Sequence, residues 1–193
     1  MQVIALWRTT FWVSYTAWIL FEIWVVSRDR RVAKGQSHDR GSFFALLALI
    51  ALAVISAFTA RDLMPWARIA APNAMLSGLA AMLIWAGLAF RFWAILTLGR
   101  FFRVTVLMHD EHRLVTKGPY RLLRHPSYTG SLMTLFGIGL FMNNWISLLA
   151  VFAGSLAGYG IRIRVEERAL AVRFGDAFAR QRARSWAVIP FVW

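Results

Sequence analysis

The sequence predicts an all-α integral membrane protein with about five transmembrane helices. The chain of 193 residues is 59% hydrophobic and only 16% charged, its mean hydropathy is +0.55, and its apolar residues fall in long uncharged runs. Water-soluble domains are about 45–50% apolar and about 25% charged. The sequence contains no cysteine, which excludes disulfides, zinc thiolates and thiol nucleophiles.

Four uncharged runs are long enough to cross a bilayer core of about 30 Å, which requires roughly 20 helical residues. They are residues 9–27, interrupted by Glu22, then 42–60, 69–90 and 126–161. The last run, as one helix, would be about 54 Å long, nearly twice the thickness of the core. We therefore expect it to turn back at residues 142–145, so that helices four and five form a tight hairpin. A single steeply tilted helix is the alternative.

Lysine and arginine counts predict the orientation of the chain. Residues 28–40 hold five basic side chains, 100–124 six and 162–184 seven, whereas 61–73 hold two and 142–145 none. Basic loops favour the cytosol, so we expect the N-terminus outside and a cytosolic C-terminal helix. The net charge of +13 then faces anionic lipid headgroups, and nucleic acid is not an expected partner because no separate basic domain exists.

Two charges interrupt the apolar runs, and both lie near the predicted inner ends of their helices. A charged side chain in hydrocarbon is costly. Glu22 lies about 9 Å of helix before Arg28. We expect Glu22 and Arg91 to extend towards the cytosolic boundary, and the sequence leaves their further roles open.

Two polar segments, 99–128 and 161–188, are predicted to emerge at the same membrane face. The first contains Tyr120, Arg124, His125 and Tyr128 around Pro126, which disfavours helical backbone just before it. In the second, Arg162 and Glu166 are four residues apart and share a helix face. The simpler interpretations are that the first segment anchors the protein at the membrane interface and that the second is a solvated helix with ion pairs. The alternative interpretation is that the two segments share one pocket, which would indicate an enzyme.

The stretch GPYRLLRHPSYTG, followed by EERALAVRFG and Ile189-Pro190, resembles the isoprenylcysteine carboxyl methyltransferase family and its relatives among membrane phospholipid methyltransferases. The resemblance covers roughly residues 105–190. It divides the chain into membrane helices without a recognised motif, 1–104, and a methyltransferase core, 105–193. It implies a multi-pass enzyme that uses S-adenosylmethionine to methylate a lipophilic acceptor at the cytosolic face.

The resemblance also implies roles for individual residues. Arg162 corresponds to the family's substrate-side arginine and is the predicted catalytic residue. The cofactor contacts that it implies are His112, Leu114, Val115, Tyr120, His125, Pro126, Ser127, Tyr128 and Glu166. No metal is predicted, because the nearby His109 and His112 are too few ligands of the usual kind.

The favoured reaction is methyl transfer to the carboxylate of an isoprenylcysteine-like acceptor. An ionised carboxylate needs no general base, so orientation supplies the rate, and Arg162 would position the acceptor. A phospholipid amine acceptor would instead need a base such as a histidine or Glu167. A non-catalytic lipid-binding protein is a further alternative. The expected partners are membrane lipid and a prenylated or otherwise lipophilic small molecule. Arginine outnumbers lysine 20 to 2, which suggests a bacterial inner membrane. The sequence does not define the oligomeric state.

Overall fold

The computed structural model describes residues 2–30, 41–71, 73–102 and 114–193. Within these ranges the regular structure is helical, with short 3-10 turns and two isolated bridges between the helices. The α-helices are α1 (Gln2–Arg30), α2 (Ser42–Leu63), α3 (Asn73–Leu98), α4 (Pro126–Phe141), α5 (Trp145–Phe174) and α6 (Asp176–Arg182).

In the described part of the chain, four helices are long and apolar enough to cross a membrane: Thr9–Arg28, Ser42–Leu63, Asn73–Leu98 and Trp145–Phe174. Helix α4 has 16 residues and rises about 24 Å, less than the core of about 30 Å. The predicted class, an all-α multi-pass integral membrane protein, is confirmed. The orientation of the termini stays a prediction.

The predicted hairpin of α4 and α5 is present, so the single tilted helix is wrong. Helix α4 ends at Phe141, and α5 begins at Trp145. Asn143 adopts a positive φ of 52°, which asparagine tolerates better than most residues. The side chain of Asn144 caps α5 by accepting hydrogen bonds from the backbone N–H groups of Ile146 and Ser147, at 3.0 and 3.1 Å.

Small residues bring the helices into close contact, as is typical of membrane bundles. Between α3 and α4, a Cβ added at Gly130 would lie 2.6 Å from the carbonyl oxygen of Gly87. Between α2 and α5, a Cβ added at Gly154 would lie 2.6 Å from the Cβ of Ala53. The two glycines of GIGL in α4 face different neighbours: Gly137 lies against α3 and Gly139 against α5.

Helix α1 packs chiefly on α3, and polar contacts join the two at three heights. Midway along both helices, Trp85 Nε1 donates to Ser14 Oγ at 3.1 Å. Near their C-terminal ends, the guanidinium of Arg28 donates to the carbonyl oxygen of Gly99 at 3.3 Å. The Glu22–Arg91 ion pair lies between them.

The expectation that Glu22 and Arg91 each extend to the membrane boundary is wrong. Arg91 is only 8% exposed, and its Nη1 donates to both Glu22 and Ser131. The Nε1 of Trp18 also donates to Glu22, at 3.1 Å. Because α1 and α3 are parallel and carry these charges at the same height, the two can pair, as charged side chains within membrane spans usually do.

Candidate active site

The candidate active site forms where the start of α4, the second half of α5 and the C-terminal segment meet. The backbone before α4 turns through a 3-10 helix at Gly118–Arg121 and then pairs with the C-terminal segment. The N–H of Arg124 donates to the carbonyl of Trp186 at 2.8 Å, and that of His125 to Ala187 at 2.9 Å. The proline-broken backbone is therefore satisfied by protein, as non-helical backbone at membrane depth requires.

Glu166 lies at the centre of this site. Its carboxylate accepts a hydrogen bond from the phenol of Tyr128 and another from Arg162 Nε at 3.0 Å. The second carboxylate oxygen lies 3.3 Å from Nδ1 of His125. The rings of His125 and Tyr128 stack with their planes 4° apart. The two polar segments that the sequence placed at one membrane face thus share one buried cluster.

Glu167 holds the opposite edge of the His125 ring. It accepts from Arg124 Nε at 2.7 Å and lies 3.4 Å from His125 Nε2. Burial alone would lower the pKa of His125, but its hydrogen bonds and charge interactions with Glu166 and Glu167 outweigh burial and raise it. The two carboxylates on either side of the ring therefore favour the protonated form of His125.

Arg162 connects this cluster to a cavity. Its side chain is almost fully buried, and Nη1 donates to the hydroxyl of Ser42, at the start of α2, at 2.8 Å. The cavity has a volume of about 640 Å³ and is lined by residues of α1, α2, α3, α4 and α5. Most of its lining is apolar, and its polar lining residues include Glu22, Arg91, Tyr128, Tyr159 and Arg162.

The structure brings together four of the residues that the resemblance implied: His125, Tyr128, Arg162 and Glu166. Tyr120 is buried, and burial together with the charge of Glu166 raises its pKa. The remaining residues that the resemblance implied differ in position and burial. Pro126 and Ser127 form the buried first turn of α4, Leu114 and Val115 are partly buried, and His112 lies outside the described residues.

Sequence reasoning missed two contacts of this site. Ser42 was not predicted as a site residue. It lies at the start of a predicted membrane span, and the alternation of spans could have indicated that this end lies beside the second half of α5. Glu167 was considered only as a base for an amine acceptor, and in the structure it pairs with Arg124 and His125. The available signal was its position beside Glu166 in a segment otherwise rich in arginine.

Comparisons with known proteins show which family this part of the chain resembles. Residues 79–172 match the isoprenylcysteine carboxyl methyltransferase (ICMT) family. Protein-S-isoprenylcysteine O-methyltransferase B of Arabidopsis thaliana is 35% identical over 101 residues, covering 51% of either chain. Protein-S-isoprenylcysteine O-methyltransferase A of the same plant is 33% identical over 118 residues, covering 60% of either chain.

A solved structure of the same family has a similar fold. The structure of the eukaryotic intramembrane Ras methyltransferase ICMT, without a monobody, matches with a TM-score of 0.60 and 27% identity, covering 74% of this chain and 52% of that one. The chain spans about half the length of the first of these curated relatives. In sequence over residues 79–172 and in fold, this chain is thus similar to the isoprenylcysteine carboxyl methyltransferase family.

Proposed function

We propose that this protein transfers a methyl group from S-adenosylmethionine to the carboxylate of a lipophilic, isoprenylcysteine-like acceptor at the cytosolic face of a bacterial inner membrane. One observation carries the proposal: Arg162 and Tyr128 lie at the polar wall of an otherwise apolar cavity and also contact Glu166, the centre of the polar cluster. The apolar lining of the cavity matches the tail of the acceptor, and Arg162 matches its carboxylate.

The cavity suits the acceptor's tail. Its volume of about 640 Å³ lies within the range of small-molecule sites, about 300–1,000 Å³. Ile19 and Leu47, which line it, are 36% and 46% exposed, and we infer that the cavity opens between the helices towards lipid. An acceptor dissolved in the bilayer could therefore enter without crossing water.

Arg162 suits the acceptor's carboxylate. A guanidinium matches the two oxygens of a carboxylate with parallel N–H donors. Its contacts with Ser42 and Glu166 fix the plane of the group. An orientation fixed in this way is the main contribution that a protein can make to a displacement by an already ionised oxygen, worth up to about 7–11 kcal/mol in favourable cases.

The polar cluster suits a cofactor that carries an ammonium and hydroxyl groups. When bound, S-adenosylmethionine supplies an electrophilic methyl group on a sulfonium. Glu166 would take a cationic or hydroxyl group, and His125 and Tyr120 would border the same pocket. Ser127 Oγ is buried and has no hydrogen-bond partner within the described ranges, which is the condition expected of a group that a ligand satisfies.

The same geometry favours a carboxylate acceptor over an amine. An amine must lose a proton, so a free base would have to face the acceptor. His125 lies between the carboxylates of Glu166 and Glu167, and Glu167 is paired with Arg124. Both groups are thus engaged with side chains of the cluster, whereas carboxylate methylation needs no proton acceptor.

Calorimetry with S-adenosylhomocysteine tests the cofactor site, and a methylation assay with S-farnesylcysteine tests the reaction. We expect Glu166→Gln to weaken S-adenosylhomocysteine binding severely. Arg162→Lys should retain this binding and lose turnover, because an ammonium cannot reproduce the two parallel donors. Arg164→Ala, an exposed arginine on the same helix, is the matched control and should behave as the native protein does.

The product separates the acceptor chemistries, since base releases methanol from a methyl ester and leaves an N-methyl group intact. A base-stable product from a phospholipid amine would overturn the carboxyl assignment. If the native protein bound no S-adenosylhomocysteine, the enzyme proposal itself would fail. Equal, undiminished binding in the Glu166 and Arg162 variants would exclude Glu166 as a cofactor contact.

A further inference from the structure

An aromatic cluster closes one end of the cavity. The ring centroid of Tyr15 lies 5.6 Å from that of Phe11 and 6.3 Å from that of Phe58. The ring of Phe11 in turn lies 4.6 Å from that of Phe141, and Phe11 is only 4% exposed. These four residues form an aromatic plug, and of the four only Tyr15 lines the cavity. The cavity therefore ends at the ring of Tyr15.

The opposite end of the cavity lies at Arg162, whose guanidinium donates to Ser42, at the start of α2, at 2.8 Å. From there the lining residues of α2 recur every three or four positions as far as Ile55, a rise of about 20 Å. Those of α1 extend over residues 15–27, a rise of about 18 Å. The cavity is therefore a cleft about 18–20 Å long, with a guanidinium at one end and the aromatic plug at the other.

The long sides of this cleft belong to α1 and α2, which have different packing partners. Helix α1 packs chiefly on α3, and α2 packs chiefly on α5. The sides that α1 and α2 turn towards each other therefore enclose space, and most of that lining is apolar. Glu22, the charged lining residue of α1, is paired with Arg91. An apolar tail can thus lie along the cleft without meeting an unpaired charge of α1.

The length of the cleft matches a tail of three isoprene units. An extended chain advances about 3.3–3.6 Å per three bonds, or about 1.2 Å per bond. From the carboxyl carbon of an S-prenylcysteine to the tip of its tail there are about 11 bonds with two isoprene units, about 15 with three and about 19 with four. The corresponding lengths are about 13, 18 and 23 Å, so the three-unit tail fills the cleft and the four-unit tail exceeds it.

We propose, building on the proposed function, that the aromatic plug sets the length of the acceptor tail, with Tyr15 as the specificity-determining residue, and that the preferred tail has three isoprene units. Lipid is as apolar as the cleft, so a tail gains affinity there only by packing. A shorter tail leaves a void beside Tyr15, and a longer one must bend out into the bilayer. A misfit of one methylene in a hydrophobic pocket is worth about 10–200-fold, and we expect the lower end because the surplus tail can lie in lipid.

Two variants that move the end of the cleft in opposite directions test this inference, with calorimetry of S-geranyl-, S-farnesyl- and S-geranylgeranylcysteine in detergent micelles. Tyr15→Ala opens about one further helical turn, roughly 5 Å, which is the length of one isoprene unit. It should raise the ratio of geranylgeranyl to farnesyl affinity about tenfold. Ala51→Phe blocks the lining about 14 Å from the level of Ser42 and should raise the ratio of geranyl to farnesyl affinity about tenfold.

Phe44→Ala is the matched control, because it removes an aromatic ring from α2 that is 74% exposed and lies outside the cavity lining. Both affinity ratios should equal those of the native protein. Partition of each acceptor into the micelle is common to all the variants, so comparing their ratios with the native ratios removes it. If Tyr15→Ala fails to fold, Ala51→Phe decides the question, since it adds a ring at an exposed position.

Two results would overturn the inference. An unchanged ratio in Tyr15→Ala would mean that the aromatic plug does not limit the tail. Equal changes for all three acceptors in Ala51→Phe would mean that the tail does not follow the cleft. Binding needs no turnover, so the expected ratios without methyl transfer would refute the proposed function and retain this inference. Methyl transfer with ratios that no variant alters would do the reverse.

Discussion

The packing of α4 on α3 gives a prediction whose size follows from the coordinates. A Cβ at Gly130 would lie 2.6 Å from the carbonyl oxygen of Gly87 and 2.7 Å from the backbone nitrogen of Arg91. Ordinary van der Waals contact begins near 3.4 Å. Both neighbours are backbone atoms, so no flexible side chain can yield, and Gly130→Ala must separate the helices by about 0.8 Å, a case of overpacking.

The expected cost is the balance of two effects. Overpacking costs about 1–3 kcal/mol, and contact with rigid backbone on both sides favours the upper end. Replacing glycine with alanine in a helix interior stabilises the helix by about 1 kcal/mol, which offsets part of this cost. A net loss of about 2 kcal/mol should lower the melting temperature by roughly 4–8 °C for a chain of this size.

Thermal unfolding in detergent micelles, followed by tryptophan fluorescence, measures this loss. Gly78→Ala is the matched control, because it lies on α3 with no atom within 4 Å of the added Cβ. That variant should melt at or above the native temperature. A native-like melting temperature for Gly130→Ala, or equal losses in the two variants, would show that the close α3–α4 contact does not limit stability.

Two further predictions concern the site and the hairpin. The pKa of His125 is raised above 6.5 in the fold, so its stabilising contribution is complete below pH 6.5 and is lost as pH rises through the raised value. The native melting temperature should therefore fall over that window, and the fall should be weaker in His125→Asn; an unchanged slope would contradict the ion-pair assignment. Asn144→Ala removes the α5 cap and the hydrogen bond to the Met64 carbonyl at 2.8 Å. It should lower the free energy of unfolding, measured with a chemical denaturant, by about 1–2 kcal/mol. A free energy of unfolding equal to that of the Gly78→Ala control would reject the capping role.

The sequence alone determined the elements that depend on local composition. Apolar runs of membrane length predicted the helices, and the excess length of the run 126–161 predicted the turn between α4 and α5. The proline after His125 and the spacing of Arg162 and Glu166 predicted two polar segments, and their shared membrane face predicted that they meet. Each of these properties acts within a few residues or follows from the order of the helices.

Only the tertiary structure decided which side chains pair across helices. Glu22 and Arg91 are 69 residues apart, and Ser42 and Arg162 are 120 apart. A hydropathy analysis treats each charge in a span by itself, so it predicted that Glu22 and Arg91 would extend to the membrane boundary. The parallel packing of α1 on α3 instead places the two charges at the same height, where they pair. The cavity likewise depends on the shapes of several helices at once, because a void exists only where their side chains fail to fill the space between them.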